Sequence, residues 1–431
     1  MTKFETYQST LGRINYVLFL IAVASLPFPQ IVERYALVAW LIGWVLELRW
    51  LKVKDYQLSV SNLQLSCPLL LFGIWYVWRA LSGLWSPDQH AWSFMMERYL
   101  MFGLLVPVAI YGVNECYDWR MIGKVLVISC AAAVPFYILL MTALYYHPEW
   151  AFAMGYKEWI GEGLNWWDCF VVNSSFIKHR LFLCTIEIIA AVVATQIWQG
   201  KPHIWLPIVL TMLSLIVFTG SRQSILTLVA VIIIYAIIHI KGRYRWLYGA
   251  GIVITGLCIG IAILFMHPRM RAMLADGIAL EQLQVHEPRV GIWNIALSSP
   301  KDYVWFGLGG GQSHEYMMAK YDEYQMGYFK YKQYHVHNQY LEEWIELGIF
   351  GVIFFVIAWI SIIYCSRGIG RQTAIYFVTI CMLCMLTDCL WGKFDGIAIW
   401  AVLMLYIYLQ SRADHLEQSR DNIASQQESI S

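Results

Sequence analysis

Residues 204–240 read IWLPIVLTMLSLIVFTGSRQSILTLVAVIIIYAIIHI, two apolar runs, Ile204 to Phe218 and Ser224 to Ile240, around the polar turn Thr219-Gly220-Ser221-Arg222. A helix needs about 20 mostly apolar residues to cross a bilayer. The stretch therefore reads as two consecutive membrane helices joined by a tight turn. Arg222 lies in that turn, where an unpaired guanidinium facing lipid would be costly.

Working outward, the same reading holds for most of the chain. Of its 431 residues, 59% are hydrophobic and 14% charged, whereas a typical soluble domain is roughly a quarter charged. That excludes an ordinary cytosolic enzyme, a disordered chain and a secreted disulfide scaffold. The aromatic share of 16% suits the two interfaces of a bilayer. Before the central pair, apolar runs occur near Ile14 to Phe28, Tyr35 to Leu48, Pro68 to Trp85, Tyr99 to Val113, Val125 to Tyr145 and Leu181 to Trp198. After it come Leu247 to Phe265, Ile349 to Tyr364, Ala374 to Leu390 and Ile397 to Leu409. The expected fold is an all-α integral membrane protein of about 12 transmembrane helices with one large external loop containing short helices.

Residues 1–265 carry the first nine expected spans, with an aromatic-rich loop near 146–179, and residues 266–340 form the large loop. Residues 341–410 hold the last three spans, and 411–431, rich in Ser, Gln and Asn, read as a disordered tail. The first run, interrupted by Pro27 and Pro29, has no small-residue cleavage site and reads as an uncleaved anchor. No internal repeat is evident.

Lys and Arg are retained in cytoplasmic loops. They concentrate at Lys3, Arg13, Arg49, Lys52, Lys54, Arg120, Lys124, Lys201, Lys241, Arg243, Arg245, Arg367, Arg371, Arg412 and Arg420. The opposite short loops hold fewer: Arg34, Arg98, Lys157, Lys178, Arg180, Arg222 and Lys393. Both termini are thus expected in the cytoplasm, with Met266 to Tyr340 and the Trp-rich stretch His147 to His179 outside. No basic block resembles a nucleic-acid arm. Most of the ten cysteines lie in or beside apolar runs and none lies in the large loop, so a disulfide framework is not expected. Cys381 and Cys384 have a C-x-x-C spacing but sit mid-span and read as packing.

Chemistry-bearing residues gather at the external side. His267, His286, His314, His335 and His337 fall in Met266 to Tyr340, and a loop this long is usually functional. Its Gly307-Leu308-Gly309-Gly310-Gly311 run lacks the spacing of a dinucleotide fingerprint and reads as a flexible turn, with phosphate cradling the alternative. Arg180, Arg222 and Arg289 lie at the outer edge or in the loop. Singly each suits an interfacial anchor, but together they suggest an anion site, because Arg offers a rigid donor fork for phosphate.

His335-Val336-His337 precedes the apolar run led by Ile349 and combines a proton-transfer group with a membrane mouth. It could instead cap a helix or, less favoured for want of further ligands, bind zinc. Asp388 ends an apolar run near that edge and could orient His337 or hold an acceptor sugar. Glu187, inside a span, is expected to pair, with Arg79 the suggested partner, since lone carboxylates in lipid are expensive.

Taken in order, Thr219-Gly220-Ser221-Arg222, Pro288-Arg289-x3-Trp293, the Gly307 to Gly311 run and His337-Asn338-Gln339-Tyr340-Leu341 resemble the bacterial O-antigen ligase and polymerase superfamily. The resemblance covers about Leu206 to Phe355 and is closest to the O-antigen ligases. It implies an inner-membrane enzyme, its site facing the periplasm, that moves an O-antigen glycan from undecaprenyl diphosphate to the lipid A-core oligosaccharide. It further implies inversion, with no cofactor or metal. His337 would be the base, with His335 its rival, and Arg222 and Arg289 would grip the diphosphate. Arg180 and Asp388 match the family pattern only loosely. A leaving diphosphate develops negative charge that something cationic must stabilise. The chain has no Asp-x-Asp for a divalent ion, so guanidinium groups are the natural substitute. A polymerase of O-antigen or exopolysaccharide is the alternative within the class. Another class, a lipid or solute transporter, would place Glu187 and Arg79 at a midplane site.

Overall fold

The computed structural model describes residues 3–47, 60–153, 178–219, 221–239 and 288–430, with isolated positions between them. The chain is all-helical, with no strand among the described residues. Its helices are α1 (Lys3–Ser25), α2 (Gln30–Leu46), α3 (Val60–Leu81), α4 (Gln89–Arg98), α5 (Leu100–Tyr111), α6 (Trp119–Tyr146), α7 (Pro148–Ala153), α8 (Arg180–Ile197), α9 (Pro202–Thr219) and α10 (Arg222–His239). They continue as α11 (Pro288–Ala296), α12 (Ser313–Glu323), α13 (Gly327–Tyr331), α14 (Gln339–Cys365), α15 (Gly368–Met385) and α16 (Phe394–Ile430).

Eight of these, α3, α6, α8, α9, α10, α14, α15 and α16, are long and apolar enough to cross a membrane, and α4 with α5 form a pair bent by 41° that would make a ninth. Each coincides with an expected run, so the chain is an all-α integral membrane protein. The central pair quoted first is α9 and α10. About half of Leu247 to Phe265 lies outside the described residues, as do all of residues 266–287 and most of the Trp-rich stretch.

Helices α8 and α16 form the centre of the bundle: α8 is buried on nearly every side, and α16 is buried almost continuously from Ile397 to Leu409. An aromatic cluster of Phe72, Trp75, Phe102, Trp359, Trp391 and Trp400 ties α3, α5, α14 and α16 together, with Phe102 and Trp400 ring centres 4.2 Å apart. Lys178, Glu33 and Asp395 form a second tie. The Lys178 ammonium, fully enclosed, lies 2.8 Å from each carboxylate and 3.1 Å from the Phe28 carbonyl, fixing the starts of α8 and α16 against the α1–α2 turn. The described part of the large loop, 288–338, has its own small core of Ile292, Tyr303, Met317, Tyr321, Phe329 and Val336.

Three expectations change. First, the tenth span begins at Gln339, ten residues before the apolar run. Asn338 caps it, its side-chain oxygen accepting from Leu341 N at 3.1 Å, as Asn at a helix N-terminus commonly does. Second, Arg79 pairs with Glu343 at 2.9 Å and with Glu346, both on α14, whereas the Glu187 carboxylate has no hydrogen-bond partner among the described residues. The spacing of Glu342, Glu343 and Glu346 puts them on one helical face that packs against α3, so Arg79 is already committed. Third, residues 411–430, expected as a disordered tail, continue α16 as helix. No Gly or Pro interrupts them, and the Asp414 carboxylate accepts from Ile369 N at 2.8 Å.

The charge asymmetry of the connecting segments makes a labelling prediction. In an otherwise cysteine-free variant with a permeable outer membrane, exposed Lys332→Cys should react with a membrane-impermeant maleimide in intact inner-membrane vesicles of right-side-out polarity. Exposed Gln418→Cys should react only after detergent is added. The reverse pattern would invert the topology.

Candidate functional site

At the bundle end where α14 begins and α15 ends, a cavity of about 480 Å³ opens between α4, the start of α8, residues 311–315, the first turns of α14 and residues 388–393. Its wall includes His179, His314, His335, His337, Glu342, Glu346, Asp388, Arg98 and Lys393. That size is ordinary for a small-molecule or sugar site.

The floor depends on the Arg79 pairs. Arg79, Glu343 and Glu346 are completely buried. The guanidinium also lies 4.4 Å from the centre of the Tyr99 ring, and Trp75 Nε1 donates to Glu343 at 3.2 Å. Charges withdrawn from water this way persist only when paired and hydrogen-bonded. Gln339 extends the network, its amide nitrogen donating to Glu343 at 2.9 Å while its oxygen accepts from Trp391 N at 3.0 Å.

The glycine run is neither a flexible turn nor a phosphate cradle. Gly348 has φ +67, which breaks the helical path of α14 and leaves carbonyls of the preceding turn without helical partners. Leu308 N donates to Ile345 O at 2.8 Å and Gly309 N to Glu346 O at 2.9 Å, while Gly310 N donates to Ser82 Oγ at 2.9 Å. Those amides are spent on the protein itself. Gly307, at φ +74, lies so close to α14 that a Cβ there would stand 2.3 Å from the Glu346 carbonyl. The strap then delivers Ser313, whose hydroxyl donates to Glu346 at 2.8 Å.

Just before α14, Val336 is buried in the loop core and its carbonyl accepts from Trp293 Nε1 at 3.0 Å. This anchor turns His335 and His337 together toward the cavity, with ring centres 3.8 Å apart. His337 has φ +50, a left-handed conformation that costs a non-glycine residue on the order of 1 kcal/mol or more. The turn is held by His337 N donating to His335 Nδ1 at 3.1 Å and by Asn338 Nδ2 donating to Leu386 O at 3.0 Å. His337 Nδ1 lies 3.3 Å from Asp388 Oδ1, and His335 Nε2 lies 3.9 Å from the same oxygen.

Burial alone would raise the Asp388 pKa, but the hydrogen bond and charge of His337, helped by His179 and His335, hold it well below the ordinary carboxylate range. Burial, then the neighbouring His337, pushes the His335 imidazole down. Burial and Lys393 push His179 down to about 4. Both are therefore neutral near pH 7, and Asp388 is ionised.

His337, His335 and Asp388 are thus brought together, and the remaining three candidates are not among the residues lining the cavity. Arg180 opens α8 beside His179, Arg222 opens α10, and Arg289 is the second residue of α11. Each engages neighbouring groups. Arg222 is next to Gln223, whose amide donates to Leu383 O at 3.3 Å near the end of α15, and Arg289 is on the helix that anchors Val336. Arg98, Lys393, Glu342 and Glu346 line the cavity but were not singled out from the sequence. For Arg98 the available signal was its place among the few external cations. For the glutamates it was the i, i+4 spacing behind Asn338.

Residues 207–356 match the family model described as O-antigen ligase. That stretch, about a third of the chain, carries the similarity to the O-antigen ligase and polymerase superfamily. The match spans Arg222, Arg289, the glycine run, His335 and His337, and leaves out Arg180 and Asp388. No curated protein matches the chain.

The buried pairs make a stability prediction. Arg79→Met should destabilise the protein by about 3 to 5 kcal/mol, because two enclosed carboxylates lose their counter-charge. Adding Glu343→Gln and Glu346→Gln should recover a substantial part. Thermal unfolding in detergent reads both, and an Arg79→Met transition at the wild-type temperature would contradict the role assigned to the cluster.

Proposed function

We propose that the chain is a glycosyltransferase of the ligase kind, moving a glycan from undecaprenyl diphosphate to the lipid A-core oligosaccharide at the periplasmic face of the bacterial inner membrane. The observation that carries this reading is the contact between His337 and ionised Asp388 in a cavity whose histidine lies within the family match. With Nδ1–H donating to Asp388, His337 Nε2 keeps a lone pair. That nitrogen accepts the proton of an acceptor sugar hydroxyl as the oxygen attacks the anomeric carbon. Asp388 does not take the proton; it fixes the tautomer and favours the imidazolium that forms, the part a buried carboxylate plays in hydrolytic triads. Attack opposite the leaving diphosphate inverts the anomeric centre.

Arg222 and Arg289, with Arg180 in support, hold the diphosphate beside the cavity, where fixed guanidinium groups stabilise the charge that develops as the sugar–oxygen bond breaks. The cavity itself takes the sugars. On this reading the reaction needs no divalent metal. The transporter alternative rested on an Arg79–Glu187 pair, which the structure replaces with Arg79–Glu343 and Arg79–Glu346. A polymerase would use the same machinery on a growing glycan acceptor.

Purified protein given the polyprenyl-linked glycan and either lipid A-core or a second donor molecule should extend the former. His337→Ala should retain donor binding and lose transfer by roughly 100-fold or more, the usual scale for a general base, with His335→Ala milder. Arg222→Ala and Arg289→Ala should weaken donor use by about 2 to 5 kcal/mol, Lys rescuing only partly. EDTA should leave the rate unchanged. Wild-type transfer by His337→Ala, or normal donor binding by both Arg variants, would overturn the site; growth of the second donor alone would make the chain a polymerase.

A further inference from the structure

The ligating atoms of His335, His337 and Asp388 all lie within 4.8 Å of one another. Two imidazoles and a carboxylate in this arrangement form a donor set that zinc and other late transition ions accept. A further imidazole, His179, lines the same cavity, and its buried Nδ1 makes no hydrogen bond among the described residues. His335 projects beside His337 because buried Val336 lies between them, a placement that a lone general base would not need.

We propose that His335, His337 and Asp388 bind a divalent transition ion, zinc being the probe of choice, and that this binding reversibly shuts off glycan transfer. The inhibitory half rests on the assignment of His337 as the base. The chemistry of inhibition follows from the two ring nitrogens. His337 Nδ1 faces Asp388, so an ion captured there takes the Nδ1 lone pair and the ring proton moves to Nε2. No proton is gained or lost overall. The nitrogen turned toward the acceptor hydroxyl becomes a donor, and the Asp388 contact that sets the reactive tautomer is replaced by a metal bond. Three ligand atoms converging within 4.8 Å also explain why the ion is held by the site and not by a chance pair of surface histidines.

The full-length protein, stripped with EDTA and freed of chelator, is titrated with zinc chloride against a chromophoric chelator, and transfer is measured across the same titration. The wild type should bind one equivalent, and transfer should fall with the same midpoint and return on adding EDTA. His335→Ala and Asp388→Asn should each weaken zinc binding by at least about tenfold, while His147→Ala, at an exposed position outside the cavity, should not. Magnesium at the same concentration should neither bind nor inhibit, since it disfavours imidazole.

Zinc binding unaffected by both cavity variants would overturn the site. Binding that depends on them with no change in the transfer rate would overturn the inhibition. Loss of transfer in EDTA with recovery on adding zinc would make the ion a catalyst and overturn the inhibitory role. Failure of the base assignment looks different: His337→Ala would transfer glycan normally while zinc binding still depended on His335 and Asp388.

Discussion

The pairing of Arg79 with Glu343 and Glu346 is the constraint from which the site follows. A guanidinium and two carboxylates, all fully enclosed, would be prohibitive in an apolar bundle if any of them lost its partner. They therefore fix the rotation and height of α14 against α3, because the contact exists only when that one face of α14 meets Arg79. Fixing α14 places its break at Gly348, and the break supplies the carbonyls that the glycine strap takes up. The strap sets Ser313 and the cavity wall, and the capped end of α14 sets the turn that holds His337. Each step uses hydrogen bonds within the protein, so the turns that carry His337 and Asp388 are tied to helix ends and are not free loops, which keeps the reacting groups in register.

Much of the bundle was legible in the sequence because hydropathy is a local property. The runs at Ile204 to Phe218 and Ser224 to Ile240 became α9 and α10 nearly residue for residue. The start of α14 was missed for the same reason: Glu342, Glu343 and Glu346 depress the hydropathy of its first turns, although Asn338 announces a helix there. The partner of Arg79 was not legible, since pairing between residues more than 260 positions apart depends on which helices become neighbours. The glycine run was misread because a backbone donor looks alike whether it serves a phosphate or a carbonyl of the same chain. His337 and Asp388 were noticed as separate polar positions at one edge, and their 3.3 Å separation needed the structure.

Glu187 shows the opposite case. It is fully buried in α8, and neither carboxylate oxygen is hydrogen-bonded among the described residues. The rule that intramembrane carboxylates are paired was sound for Glu343 and Glu346 and fails here among the described residues. An intramembrane acid is thus a poor guide to a midplane transport site in this chain, because the one that looked like half of a pair stands apart from the cation assigned to it.

The distribution of charge around the cavity bears on how such an enzyme separates its two substrates. The carboxylates Glu315, Glu342, Glu346 and Asp388 line the cavity along with Arg98 and Lys393, whereas Arg180, Arg222 and Arg289 stand outside it at helix starts. A helix N-terminus adds partial positive charge to such an arginine, so these helix starts attract anions more strongly than the arginines alone would. A neutral polyhydroxyl chain gains hydrogen bonds from a wall that carries acids, imidazoles and cations together. Under the proposed reaction this division would orient the donor before any chemistry, with its phosphates at the arginines and its sugar directed toward His337.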